Sequence, residues 1–245
     1  MKEWIYSRNA VYEALRAGRR QAFNLLVAEG AQEKGRLAEI QRMAAAAHVR
    51  VDRVTRTRLD NIASGHQGVA LEVEPYPYAN LVDILELAAD RREAPFILIL
   101  DTLQDPQNLA TLLRTAEVSG VHGVLLPLRH TVSVTPAVVN ASSGASEHLL
   151  IAQANLAQAI DELKERNVWV AGLEGGAEAQ EIGSFRLDGS LALVVGSEGD
   201  GMRDLVRKSC DVLLSLPMKG KIESLNAAVA GSIALYLAMQ ARTSR

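Results

Sequence analysis

The sequence predicts an α/β protein in which a small N-terminal α/β domain precedes a larger domain built on a mostly parallel sheet. Three observations carry that expectation. From residue 96 onward, "FILIL", "GVLLP", "VWVAGL", "LALVVG" and "VLLSLPM" are short apolar segments without alternation, separated by helix-length stretches. Strands apolar on both faces belong to a parallel sheet covered by helices. Residues 1–75 mix helical and strand-like signals on a smaller scale, and "PYPYANLVDILELAADRREAP" interposes three prolines and mixed charge, which reads as a linker carrying a short helix. The expected domains are therefore 1–75 and 95–245, joined by a linker over 76–94.

Within the first domain the spacing predicts a helix around 8–17, the strand "AFNLLVA", a helix around 33–47, and the strands "VRVDRV" and "GVALEVE". In the second domain, ligands are expected beyond the carboxyl ends of the parallel strands, so the residues following each strand matter most. No internal repeat and no low-complexity tract is evident.

A chain of 245 residues that is 48% hydrophobic can bury a sizeable core. The single cysteine, Cys210, rules out an internal disulfide framework, and charges scattered through "MKEWIYSRNAVYEALR" interrupt the apolar block that a signal peptide needs. A cytoplasmic protein is expected. Cys210 opens the apolar run "CDVLLSL" and reads as a small buried hydrophobe.

The net charge of −3 argues against simple coating of nucleic acid, but it conceals an asymmetry. Residues 1–74 carry 12 Lys+Arg against 9 Asp+Glu, a balance of +3, and the remainder carries 14 against 20, a balance of −6. Within the first part, "RVDRVTRTR" gathers Arg50, Arg53, Arg56 and Arg58 around one acid, Asp52. Such a run is either a solvated face or a site that finds phosphates.

Three strand ends carry polar residues. After "FILILD" comes "DTLQDPQNLATLLRTAEVSG", where Asp105 and Pro106 form a helix cap with proline at the first helical position. Asn108, Thr111 and Arg114 then recur every third residue as a drifting polar stripe, while Leu109, Leu112, Leu113 and Ala116 supply the apolar face. From spacing alone Arg114 is as well a surface arginine as a site residue; a buried arginine there would need a carboxylate or phosphate partner. After "LALVVG" comes "GSEGDGM", residues 196–202, with glycines around Glu198. It is either a plain turn or a place where backbone approaches a ligand closely, and its spacing fits neither common phosphate-binding glycine pattern. "GLEGGAE" is a weaker signal of the same kind.

The third strand end is "LPMKGKIESLNAAVAGSIALYLAMQA", residues 216–241, where a basic loop leads into a long helix rich in small residues. Its apolar run is shorter than the roughly 20 residues of a membrane span and includes Asn226 and Gln240, so no membrane association is expected. Ser224 could be an ordinary helix cap, which would leave Asn226 and the Gly-Lys loop unexplained. Three polar strand ends of one parallel sheet would converge on one crevice.

The ordered motifs "DPQNLATLLRTAEVSG", "LVVGSEGDGM" and "LPMKGKIESLNAAVAG" resemble those of the SpoU/TrmH family of RNA 2′-O-ribose methyltransferases, within the SPOUT superfamily. "SRNAVYEAL" and "HQGVAL" further resemble the substrate-binding domain of the family's bacterial large-subunit rRNA guanosine methyltransferases, the RlmB type. Ala110 and Ala227 stand where the family commonly has glycine and valine. The resemblance implies an N-terminal RNA-binding domain, a catalytic domain with a deep C-terminal trefoil knot, which the general rarity of knots would otherwise count against, and a homodimer.

The implied reaction moves a methyl group from S-adenosylmethionine to a ribose 2′-hydroxyl, with RNA rather than DNA as the partner and rRNA as the favoured RNA. It carries cofactor contacts onto Gly196, Leu216 and Leu225, largely through main chain, and catalytic assignments onto Asn108, Arg114, Glu198, Ser224 and Asn226. Under it, Ser224 and Asn226 face the reacting ribose, and Arg114, held by Asn108 and Glu198, clamps the adjacent phosphate. No metal is expected: the histidines at 48, 66, 122, 130 and 148 show no ligand spacing. Rival readings are a tRNA guanosine or rRNA adenosine substrate, a catalytically silent RNA-binding protein of ribosome assembly, and a phosphate- or nucleotide-binding enzyme. The last would require a lysine where Met202 stands.

Overall fold

In the computed structural model, which describes residues 2–176, 178–222 and 224–243, the chain divides into two compact units. The first comprises residues 1–77 and 133–148, the second residues 78–132 and 149–245.

The first unit begins with β1 (Glu3–Tyr6), α1 (Arg8–Ala17), β2 (Ala22–Ala28), α2 (Arg36–Ala46), β3 (Arg50–Val54), α3 (Arg56–Asp60) and β4 (Val69–Val73). Its four strands lie in the order β1-β4-β2-β3; β2 and β3 run parallel, and β4 runs antiparallel to both β1 and β2. Leu26, Ala28, Val54, Leu59 and Ala70 form a core cluster against this sheet. The arginine run falls on the edge strand β3 and on α3: Arg50 pairs with Asp52 at 2.9 Å and Arg53 with Glu33, whereas Arg56 and Arg58 project exposed from α3.

The second unit opens with α4 (Leu81–Arg91), β5 (Phe96–Leu100), α5 (Pro106–Val118) and β6 (Gly123–Pro127). The stretch expected to be a linker is thus largely a packed helix, with Leu81 and Ile84 in the core of this unit; burying a side chain such as Ile84 stabilises by roughly 1.5–3 kcal/mol. At Asp105 the expected cap is present, its Oδ1 accepting from Gln107 N at 2.9 Å ahead of Pro106.

After Val132 the chain returns to the first unit for Ser133–His148, which carries α6 (Pro136–Ala141) and a 3-10 turn. This segment is fastened by charge. Arg20 and Glu147, each with its side chain 1% exposed, pair at 2.7 Å; Arg20 also reaches Glu3 at 2.9 Å and lies over the Tyr76 ring. Burial pushes the Glu147 carboxyl up, opposed by the Arg20 charge, and pushes the Tyr76 hydroxyl up to about 12. The sequence gives no sign of this insertion.

The second unit then continues with β7 (Leu150–Ala154), α7 (Leu156–Glu165), β8 (Trp169–Leu173), β9 (Gln180–Glu181), β10 (Leu191–Val195), α8 (Asp204–Ser209), β11 (Val212–Ser215) and α9 (Ala227–Thr243). Its seven strands are ordered β7-β6-β5-β10-β8-β11-β9, and every pairing is parallel. All residues of the central strands β5 and β10 are buried, which is why these segments are apolar without alternation. Because the strands are parallel, the loops after β5, β6, β8, β10 and β11 all emerge at one edge. Gly231 brings α9 close to its neighbours, since a Cβ there would stand 2.6 Å from Leu112 of α5 and 3.0 Å from Val195 of β10. Cys210 is half-buried against the core, with its thiol pushed up to about 12 by burial. Among the described residues no helix is long and apolar enough to cross a membrane.

Candidate active site

The loop after β10 is fixed at both ends. Ser197 and Gly201 exchange backbone hydrogen bonds of 2.9 and 3.2 Å, closing a tight turn with Glu198 near its tip. Gly196 underlies the turn, and a Cβ there would stand only 2.3–2.5 Å from backbone atoms of Gly201 and Met202. The loop exit is fastened to β5: Asp101, fully buried, accepts from Arg203 N and Nε, each at 2.8 Å, and Arg203 Nη2 approaches it at 2.7 Å. An interior carboxylate is tolerated only with such partners.

Asn226 joins all three polar strand ends. Its Oδ1 accepts from Ala228 N at 3.0 Å and Val229 N at 3.2 Å, so Asn226, and not Ser224, caps α9. Only the amide oxygen can accept those bonds, and this fixes the orientation of the side chain. Nδ2 is thereby aimed away from α9, donating to Glu198 Oε2 at 2.8 Å and Asn108 Oδ1 at 3.3 Å.

Beside this hub lies a cavity of about 550 Å³ whose walls include Gly196, Glu198, Leu216, Ser224 and Leu225. Its volume is that of a small-molecule site. The loop after β8 adds Glu174, Gly175 and Gly176 to the wall. Arg207 secures that loop through Glu174 at 2.8 Å and Glu178 at 2.6 Å. Among the described residues no cluster of His, Cys, Asp and Glu could hold a metal ion.

Of the residues singled out in the sequence, Asn108, Glu198 and Asn226 meet in one hydrogen-bonded group, and Gly196, Leu216, Leu225, Glu198 and Ser224 share the cavity. Arg114 differs from the buried arginine that was one alternative: it lies on an exposed part of α5. Asp101, Arg203 and Glu174 were not read as site residues. The one signal for Asp101 was an acid directly after a wholly apolar strand.

The chain resembles characterised families over nearly its whole length. The SpoU rRNA Methylase family matches residues 95–236, and the family described as RNA 2′-O ribose methyltransferase substrate binding matches residues 4–79. YacO of Bacillus subtilis (strain 168), named for the TrmH family of tRNA/rRNA methyltransferases, is 43% identical over 239 residues, covering 96% of this chain and 94% of its own. A Staphylococcus aureus (strain MSSA476) protein named for the same family is 41% identical over 234 residues, covering 95% and 93%. In fold, the chain is similar to the SpoU methyltransferase AviRb from Streptomyces viridochromogenes, solved in complex with AdoMet, with a TM-score of 0.82 at 23% identity over 99% of this chain and 91% of that one. An AdoMet-bound rRNA methyltransferase from Sinorhizobium meliloti superposes with a TM-score of 0.79 at 23% identity, over 98% and 87%. Sequence motifs, parallel sheet and full-length relatives agree, and the chain belongs to the SpoU family of RNA methyltransferases.

Proposed function

We propose that this protein uses S-adenosylmethionine to methylate the 2′-hydroxyl of a guanosine in large-subunit rRNA. The observation that carries the proposal is the junction at Asn226, which ties Asn108 and Glu198 together at the wall of the cavity shared by Gly196, Leu216 and Leu225. The cavity suits the cofactor. Gly196 lines it where the absence of a Cβ lets the Ser197–Gly201 turn fold tightly against the strand end, and the carboxylates of Glu181 and Glu198 in the wall complement a cationic sulfonium.

When bound, S-adenosylmethionine supplies an electrophilic methyl group, so the chain's own task is binding, alignment and electrostatics. The loops after β8, β10 and β11, which line the cavity, would hold the adenosine. Asn226 sets Glu198 and Asn108 against the ribose so that its 2′-oxygen faces the methyl in line; such alignment can contribute up to about 7–11 kcal/mol of barrier reduction. Methyl transfer to that oxygen would require the hydroxyl proton to leave. Arginine is too weak an acid to serve as a free base. Arg114 would instead clamp the phosphate beside the target ribose and orient it so that a phosphate oxygen takes the proton, while Ser224 lines the cofactor side.

The first unit recruits the RNA, a role supported by its match to a substrate-binding family and by the exposed Arg56 and Arg58. A cytoplasmic homodimer is part of the same reading. Its support is an apolar strip on α5 and α9, where Val118, Val229, Ile233 and Tyr236 are exposed. The C-terminal trefoil knot is also part of it, supported by the match to the SpoU family.

Calorimetry with S-adenosylmethionine, followed by transfer of its labelled methyl to unmodified large-subunit rRNA and to tRNA transcripts, tests the proposal. Saturable binding with label in 2′-O-methylguanosine of rRNA is expected. Absence of cofactor binding would falsify the reading, and label confined to tRNA would move the substrate to the rival class.

A further inference from the structure

A second cavity, of about 510 Å³, borders the same Ser197–Gly201 turn and shares Ser197, Glu198 and Gly201 with the first. Asn108 lines it, so the Asn108–Asn226–Glu198 group stands at the junction of the two spaces. Its far wall consists of the loops after β5 and β6, which are joined because Leu103 O accepts from Val132 N at 2.9 Å and from Thr131 Oγ1 at 3.0 Å. Thr102 and His130, both lining residues, hold left-handed backbone at φ 58° and 59°. Such conformations are unfavourable for residues with a Cβ and concentrate at ligand sites.

The lining chemistry selects the ligand. Asp105, Glu198 and Asp200 contribute carboxylates, and the guanidinium of Arg203 is committed to Asp101. A phosphate is therefore disfavoured, and a group rich in hydrogen-bond donors is favoured. Asp105 Oδ1 serves the α5 cap and Glu198 Oε2 serves Asn226, whereas Asp200, exposed on its loop, makes no hydrogen bond or ion pair among the described residues. An ionised carboxylate accepts through both oxygens. Among the RNA bases, only guanine presents two adjacent donors, N1–H and N2–H₂, on its Watson–Crick edge. Adenine and cytosine place an acceptor beside the donor, and uracil flanks its donor with carbonyls. His130 supplies an aromatic ring of the kind on which unstacked RNA bases are held.

Resting on the methyltransferase reading, we infer that this second cavity is the subsite for the base of the methyl-accepting nucleotide, that Asp200 reads guanine through N1–H and N2–H₂, and that His130 stacks on the ring. The ribose of a base so placed falls at the junction beside the cofactor cavity.

The test uses the full-length protein, S-adenosylmethionine and unmodified large-subunit rRNA and tRNA transcripts, with the methylated nucleoside identified by mass spectrometry. Asp200→Asn preserves shape but replaces one acceptor oxygen with a donor. It should lower kcat/KM for RNA by about tenfold or more while cofactor affinity stays unchanged, with 2′-O-methylguanosine as the wild-type product. A wild-type product on another base, or an Asp200→Asn variant as active as wild type, would overturn the subsite while leaving the methyltransferase intact. Equal loss of cofactor affinity would assign Asp200 to loop shape and overturn its reading role. Wild-type protein that methylates none of these RNAs would remove the proposed activity itself, and the subsite with it.

Discussion

Asn226 and Glu198 are bonded through Nδ2 and Oε2 at 2.8 Å, and the same Asn226 side chain caps α9 through its oxygen. One residue thus fixes the start of a helix and the position of a carboxylate in the site, and two substitutions separate these roles. Asn226→Asp keeps a capping acceptor, loses both Nδ2 donors and places a like charge beside Glu198. It should leave thermal stability near wild type while methyl transfer falls steeply. Asn226→Ala should lose transfer and in addition about 1 kcal/mol of stability. Equal melting losses in both variants would show that the two roles are not separable.

Gly196 admits no side chain, because Cβ would lie 2.3–2.5 Å from the backbone of Gly201 and Met202. Gly196→Val must displace the Ser197–Gly201 turn, which borders both cavities. Calorimetry should show cofactor binding weakened at least about tenfold, at a cost in stability of about 1–3 kcal/mol from overpacking. Unchanged affinity would show that the backbone approach is unnecessary.

His122 links structure to pH. Nδ1 accepts from Phe96 N at 3.0 Å, so the neutral ring carries its proton on Nε2, which donates to Glu93 Oε2 at 2.9 Å. Burial lowers its pKa below the ordinary 6.5, against the opposing pull of Glu93. The unfolded chain therefore takes up this proton before the folded one does, so the stabilisation is complete above pH 6.5 and declines as pH falls below it. Melting temperature should drop on acidification through that range. His122→Gln should lower the plateau and reduce the slope; an unaltered slope would place the titration elsewhere.

Arg56 and Arg58 differ from Arg50 and Arg53, which already face Asp52 and Glu33. Replacing Arg56 and Arg58 together by alanine should reduce the magnitude of the salt slope of RNA binding by about 1.4–1.8, if each neutralises one phosphate. The Arg50, Arg53 double variant should change it less. Equal slopes in wild type and the first variant would return the run to a solvated face.

Particular residues show what was legible in the sequence and what was not. The unalternating strands revealed the parallel sheet, and the polar residues after β5, β10 and β11 revealed the crevice, because a parallel sheet places all such loops on one edge. Register at the α9 terminus was not legible: serine and asparagine are both good caps, and only three-dimensional placement shows that Asn226 is used. β1, at four residues with mixed polarity, is too short to carry a period. The Arg20–Glu147 pair joins residues 127 apart, a distance that no local pattern spans. Asp200 and His130 acquire meaning only when three loops close around one space.

The most direct measurement is a transcriptome-wide map of 2′-O-methylation in cells with the protein, without it, and with Arg114→Ala in its place. The expected map loses methylation at a guanosine of large-subunit rRNA when the protein is absent, regains it with wild type, and fails to regain it with Arg114→Ala. An identical map with and without the protein, or full restoration by Arg114→Ala, would contradict the assigned activity or the assigned role of Arg114 respectively.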